Sequence, residues 1–374
     1  MKNEKKHRII PIPILLTLLL CSCNLNDNYF VADNVLTIEN PYCGDSLKGS
    51  STSLTFLEPQ QMLSFDNILI VLTNQNGHFI NIIDCASDSV ISSFGEIGHA
   101  KNEFIDFPQC MYRKTNPLTE EHLLYIPDNS NQITRVVNIE KSVKEGVCHV
   151  DSVIKHDVEI KGESAVYCLN DANKLWYFNV TYEDPRDNIF YPPRLIEKDK
   201  VKSYECHPFP RTIFTSSFNI MRVAYESKCS ISPDMDNFII MMRFIDNLFM
   251  YNVKTKKTIG ITTIDTYDFT FFNKKNDINE IAEQLHIYNV DVSTTNSSVF
   301  ILKTKSLYSN LISKEEKGVY DFPSYLHVYN WEGLLKYSYQ LDVGIISICY
   351  NETYGYIYAL SAYGHIIKYN LPNQ

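Results

Sequence analysis

The residues best suited to chemistry lie in two stretches near the middle of the chain. One runs Tyr182-Glu-Asp-Pro-Arg-Asp-Asn-Ile-Phe-Tyr-Pro-Pro-Arg194, the other His207-Pro-Phe-Pro-Arg-Thr-Ile-Phe214. Both set aromatic rings and guanidinium groups among prolines. Proline stiffens a loop, and aromatic and Arg side chains make strong contacts with peptides, glycans or other proteins. Trp176, on the preceding apolar run, with Arg186, Tyr191, Arg194, His207 and Arg211, is therefore the candidate ligand-binding set. The plainer alternative is a long loop packed over a rim.

Enzymatic signatures are missing. None of the ten His residues stands in HExxH, and the chain has no GxSxG elbow, Walker A loop or GxGxxG. No CxxC pair occurs, which disfavours a zinc ribbon or a thioredoxin-type site. No catalytic residue and no cofactor is assigned. A triad assembled across distant strands is defined by geometry and leaves no spacing to search for. The enzymatic alternative is a metal-dependent hydrolase, lactonase-like enzyme or lyase with Asp, Glu, Asn or His converging on a central axis. Acidic turns such as Glu183-Asp184 and Asp234-Met-Asp236 would supply it, although a solvated turn carboxylate is the simpler reading.

These residues must be held by strands. The runs Ile68–Leu72, Leu123–Ile126, Leu175–Val180, Phe238–Met242, Val299–Leu302 and Tyr356–Leu360 recur at intervals of 52–63 residues, each behind a polar turn. A second strand ending on Asn or Asp follows most of them, as in Phe79–Asp84, Val136–Asn138, Leu248–Asn252, Leu326–Asn330 and Ile366–Asn370. Short strands at a fixed period are the pattern of a β-propeller. One such module cannot bury both faces, but a ring of them can. The expected fold is all-β, a six-bladed β-propeller over residues 34–374. Its last module lacks an outer strand, so Asn34–Ile38 or Ser53–Leu57 is expected to close the ring. A short inserted helix is expected from Asn276 or Asp277 to His286, because Ile278, Ile281, Ala282 and Leu285 share one face. The competing fold is a β-sandwich with a second β domain.

Composition agrees with strands: 25 Tyr and 20 Phe against 13 Gly in 374 residues. The 33 Asn are expected to take left-handed turn positions in place of glycine. The formal net charge of −10, with no basic stripe, excludes an ordinary nucleic-acid partner.

The first residues are an address. Lys2, Lys5, Lys6 and Arg8 precede an apolar run, Ile9–Leu20, broken by Pro11 and Pro13 and too short to span a bilayer. It ends Leu20-Cys21-Ser22-Cys23, which resembles a bacterial lipoprotein signal. That resemblance implies cleavage after residue 22, lipidation (palmitate among the acyl chains) at Cys23, and a tether over 23–33. It places the protein in the cell envelope of a Gram-negative-type bacterium, on the periplasmic or surface side. Removing residues 1–22 takes away four basic residues and one acidic one, so the mature charge is −13. Eight cysteines then remain beyond Cys23; Cys85, Cys168 and Cys349 are expected to pack as small hydrophobes.

Phe94-Gly-Glu-Ile-Gly-His-Ala-Lys-Asn-Glu-Phe104 is similar to a turn motif of TolB-like six-bladed propellers on bacterial lipoproteins. Phe94, Gly95, Gly98, Glu103 and Phe104 match the motif; Ala100, Lys101 and Asn102 replace its Gly-Pro-Gly core. The resemblance implies a fold and a location, and no single activity. The functional expectation is a lipid-anchored binding scaffold, non-enzymatic, for a peptide, envelope protein or glycan. A third reading is an assembly factor that docks other envelope lipoproteins through its helix or edge.

Overall fold

The computed structural model describes residues 32–372 except 58, 76, 101, 109–110, 117, 157–164, 169–173, 179–193, 198–199, 204–219, 221–222, 225, 264–271, 273–276 and 311–321. Within 165–203 it describes the backbone alone.

Three strands come first: β1 (Asn34–Ile38), β2 (Asp45–Leu47) and β3 (Ser50–Thr55). Sheet 1 follows with β4 (Gln61–Phe65), β5 (Ile68–Gln75), β6 (His78–Asp84) and β7 (Ser89–Phe94). Sheet 2 has β8 (Tyr112–Thr115), β9 (His122–Asp128), β10 (Ile133–Asn138) and β11 (Val150–Lys155). Sheet 3 has β12 (Ala165–Cys168), β13 (Lys174–Phe178), β14 (Arg194–Glu197) and β15 (Lys200–Ser203). Sheet 4 has β16 (Ser227–Ile231), β17 (Asn237–Met242), β18 (Asn247–Asn252) and β19 (Thr258–Thr263). Sheet 5 has β20 (His286–Thr294), β21 (Ser298–Leu307), β22 (Ser324–Asn330) and β23 (Leu335–Leu341). Sheet 6 has β24 (Ile345–Asn351), β25 (Tyr356–Ser361) and β26 (His365–Asn370).

Each sheet is an antiparallel meander, and at four of the seams the first strand of one packs beside the first strand of the next. Such contacts join β16 to β20, β20 to β24, β24 to β4 and β4 to β8. Hydrogen bonds set their relative direction. The Asp291 carboxylate accepts from Ile348 N–H at 2.9 Å, and Ser293 Oγ accepts from Tyr350 N–H at 3.0 Å, so β20 and β24 run parallel. Gln61 exchanges bonds with the Met111 backbone at 2.8 and 2.9 Å, and Arg113 donates to Ser64 O, which aligns β4 with β8 in the same way. Parallel inner strands flanked by radial meanders make an all-β propeller. Five blades have described side chains, against the six that the repeat predicts; sheet 3 is described by its backbone only.

The N-terminal strands run along the outer edges. β3 pairs antiparallel with β26 and supplies the fourth strand of sheet 6. β1 and β2 add fifth strands, pairing parallel with β19 and β23. The belt over three successive blades has no counterpart in the repeat.

Alternating strand direction divides the connections between two faces. Turns from first to second and from third to fourth strands lie on one, here the turn face. Second-to-third loops and the links between sheets lie on the other.

On the turn face the strand-ending Asn and Asp residues act through their side chains. Asp84 accepts from Ser87 N–H at 3.0 Å, Asn252 from Thr255 N–H at 2.8 Å and Asn330 from Leu334 N–H at 2.9 Å. Asn138 accepts from Lys141 N–H at 3.0 Å and caps helix α1 (Ile139–Glu145). Left-handed backbone falls elsewhere. Among the described residues Asn40 is the one Asn with positive φ, at 52°, beside Asp66, Asp88, Glu120, Gln132, Met235 and Lys256. Asn is abundant here because its amide closes turns, a role distinct from replacing glycine.

The helix expected to run to His286 is also corrected. Its residues form a 3-10 turn, Ile278–Glu280, and the chain enters β20 at His286. Asp277 accepts from Asn279 N–H, and Ile281 O accepts from Leu285 N–H at 2.9 Å, so one turn suffices to bury Ile281 and Leu285. Meanwhile α1 lies between β10 and β11, where the repeat gives no hint of it.

In the Phe94–Phe104 motif, Gly95 has φ +84° and an added Cβ would meet the Phe79 ring at 2.6 Å. Phe104 is buried edge-on against Phe79, with ring centroids 5.0 Å apart. The motif is a packed link between sheets 1 and 2.

Candidate functional site

A cleft opens on the turn face between sheets 4 and 5. Its volume is about 590 Å³, and its lining includes Asn237, Tyr251, Lys257, Asn296, Trp331 and Glu332. That size lies within the ordinary range for small-ligand sites, roughly 300–1,000 Å³.

Turn chemistry sets several of the lining residues. Asn237 opens β17, and its Oδ1 accepts from Asn252 Nδ2 at 2.7 Å. Asn252 Oδ1 takes Thr255 N–H and Oγ–H at 2.8 and 2.9 Å, which folds the β18–β19 turn and sets Lys257 at the rim. Asn296 Oδ1 accepts from Asp234 N–H at 2.9 Å and ties the first turn of sheet 5 to that of sheet 4. Trp331 donates its indole N–H to Thr295 O at 3.0 Å, so the ring is fixed while half-buried. Gly333, two residues on, has φ +78°, and a Cβ there would meet Ile259 at 2.9 Å and Leu36 at 3.0 Å. The turn bearing Trp331 is thus pressed against β19 and the belt strand β1. Met250 and Ile259 give the cleft its aliphatic lining and pack into the core between the two sheets with Ile239 and Tyr329.

Below this core the two sheets share a buried charge pair. Lys303 donates to Asp246, and both side chains are 1% exposed. Tyr42, from the belt, donates to Asp246 at 2.7 Å, and Thr263 donates to it at 3.2 Å. His327 lies within hydrogen-bonding distance of Tyr329 Oη at 3.0 Å. Burial, then the nearby Lys303 ammonium, holds the His327 imidazole well below its ordinary pKa. Burial and the Asp246 carboxylate push the Tyr42 and Tyr329 hydroxyls up. This network is enclosed, so it braces the seam beneath the cleft.

The sequence-predicted set falls largely outside the described residues. Cys23, Arg186, Tyr191, His207 and Arg211 lie there, as do Glu183 and Asp184. Trp176 stands on β13 opposite Tyr167 and Leu195; Arg194 opens β14 opposite Tyr177 and Ser203. In that register β13 ends at the end of sheet 3 where β14 begins and β15 ends. Among the described residues no three His, Cys, Asp or Glu side chains gather as a possible metal site. Asp234 accepts from Ser232 and from Asp236 N–H, and Asp236 pairs with Lys254, as turn carboxylates do.

Trp331 escaped the sequence reading because it follows a strand-ending Asn and reads as one more turn residue. Its rarity was the available signal: the chain has two Trp. The free thiols Cys85, Cys148 and Cys349 are buried, as expected of small hydrophobes for the first and last; Cys43 is exposed.

Two solved structures are similar in fold. One is a protein of Bacteroides fragilis NCTC 9343 described as exported, with TM-score 0.53, 10% identity, and coverage of 90% of this chain and 99% of that one. The other is a member of the DUF4221 family from Bacteroides vulgatus ATCC 8482, with TM-score 0.51, 10% identity, and coverage of 88% and 98%. No protein-family model matches the chain, and no curated protein matches it. At this identity the likeness carries the propeller fold alone.

Proposed function

We propose that the protein is an extracytoplasmic, lipid-anchored binding scaffold, non-enzymatic, with sheet 3 as the sixth blade of a TolB-like ring. The observation that carries the binding role is the turn-face cleft, whose aromatic wall and polar rim are held rigid by bonds within the protein. Rigid loops on a stiff scaffold are where recognition is commonly placed. The signal-like start and Cys23 support the location, and an exported protein of like fold agrees with it.

Anchoring at Cys23 would orient the disc. Asp33 exchanges hydrogen bonds with Thr258, accepting from its N–H at 2.8 Å and donating its own N–H to Oγ1 at 2.8 Å. Thr258 adjoins Lys257 at the rim of the cleft. A fully extended chain from Cys23 to Asp33 reaches at most about 36 Å. The cleft would therefore stay close to the membrane, where the ligand would be met.

The test combines labelling with capture. Wild-type protein should incorporate palmitate and fractionate with membranes, and Cys23→Ala should do neither. Immobilised Cys23→Ser chain should retain a component of envelope extract that the additional Trp331→Ala variant does not. Label on Cys23→Ala, or identical retention by both immobilised chains, would overturn the corresponding half of the proposal.

A further inference from the structure

We infer that the cleft between sheets 4 and 5 is a site for a short neutral saccharide. This rests on the cleft being the binding site proposed above. Four observations lead to it.

The first is the platform. Trp331 is held by its N–H to Thr295 O, so its ring is a preset wall with no hydrogen-bonding demand of its own left. Sugar rings present a C–H face that packs on such a surface.

The second is the donor set. Asn237 and Asn296 each spend Oδ1 inside the protein, on Asn252 Nδ2 and Asp234 N–H. Each amide is thereby oriented, and its Nδ2 is left to donate to a ligand oxygen.

The third is charge. The exposed rim is of mixed sign, with Lys257 and Glu332 in the lining and the belt's Asp33 beside Lys257, which favours an uncharged ligand that uses the ammonium as donor and a carboxylate as acceptor. Vicinal hydroxyls do both.

The fourth counts against a peptide. Extended peptides gain their main-chain bonds from a free sheet edge. Here β1 takes the edge of β19 over Ile259–Thr263, β2 takes that of β23 over Tyr339–Leu341, and no residue of β23 lines the cleft. The cleft walls are internal strands and closed turns.

The experiment uses the mature chain with Cys23→Ser. Tryptophan emission and titration calorimetry are followed with cellotriose, maltotriose, xylotriose, mannotriose and chitotriose, and separately with a pool of random hexapeptides. At least one trisaccharide should bind saturably at millimolar concentration or below and shift the emission. Asn237→Ala and Asn296→Ala should each weaken it roughly five- to tenfold, the loss of about one hydrogen bond. Trp331→Ala should abolish it with the circular dichroism unchanged. If the peptides bind in a Trp331-dependent way and no trisaccharide does, the saccharide inference fails and the cleft survives as a site. If neither binds, the saccharide inference fails, and the cleft as a site then stands or falls with the Trp331-dependent retention from envelope extract. Saccharide binding that survives all three substitutions would also overturn the inference.

Discussion

Two seams of the ring are built on different principles. Between sheets 6 and 1, where the end of the chain meets its beginning, the packing is apolar: Met62, Leu69, Val71, Ile83, Cys85, Cys349, Tyr358 and Leu360 form one cluster. Its polar fastenings are Asn351, whose Nδ2 donates to Ser64 Oγ at 2.6 Å and Asp66 O at 2.7 Å, and at the edge a half-buried Lys368–Asp88 pair at 2.6 Å. Between sheets 4 and 5 the core is smaller, a Lys303–Asp246 pair is buried beneath it, and the turn face gapes into the cleft. The first seam closes the ring and is filled. The second is braced by charge and by the belt residue Tyr42, which leaves its rim free to carry a site.

Breaking the brace should have the largest effect. Lys303→Met leaves Asp246 charged and buried, which costs about 3–5 kcal/mol. Joining it with Asp246→Leu removes the stranded charge, and most of the loss should return, less what Tyr42 and Thr263 lose as partners. Urea unfolding midpoints check this; equal losses in the single and double variants would erase the distinction between the seams. At the closing seam Leu360→Ala should cost about 2–5 kcal/mol through cavity formation. There a second substitution has no charge to neutralise, so no compensating partner should restore it.

The fold was more legible than the site, for a physical reason. Strand period and strand-ending Asn residues are local signals, and they located β5, β9, β17, β21 and β25 with the turns around them. The closing strand was legible as a deficit, since the last repeat lacked an outer strand and β3 provides it. Asn34–Ile38 was legible as a strand, but its parallel place beside β19, and β2 beside β23, were not, because pairing an edge some 200 residues or more away leaves no local pattern. Helix α1 was hidden in the same way: Asn138 ends its strand like Asn252 and Asn330, yet caps a helix. The cleft depends on two turns about 80 residues apart meeting across sheets, so Trp331 alone carried no sign of its neighbours. Composition made Trp176 and the Arg-Pro stretches conspicuous, but conspicuous residues mark accessible chemistry and not convergence.

Acid and alkali sharpen the comparison with the smallest effect. His327 is buried neutral beside Lys303, and its folded pKa lies well below the ordinary 6.5. Below pH 6.5 the unfolded chain therefore takes up a proton that the folded seam refuses, and stability falls as pH falls. One proton sets the slope at about 1.4 kcal/mol per pH unit at most. Cys349 behaves oppositely: burial pushes its thiol up to about 12 from 9. Its neutral form is favoured in the folded state, so the contribution is complete below pH 9 and is lost as pH rises from 9 toward 12. His327→Leu should remove one proton from the acid slope and leave the alkaline limb unchanged. Cys349→Ala should do the reverse. Tyr42 and Tyr329 add alkaline sensitivity at the 4–5 seam as well, so the acid limb is the one that separates the two. An acid slope that persists in His327→Leu would mean that another group governs the braced seam, and the contrast would have to be drawn on packing alone.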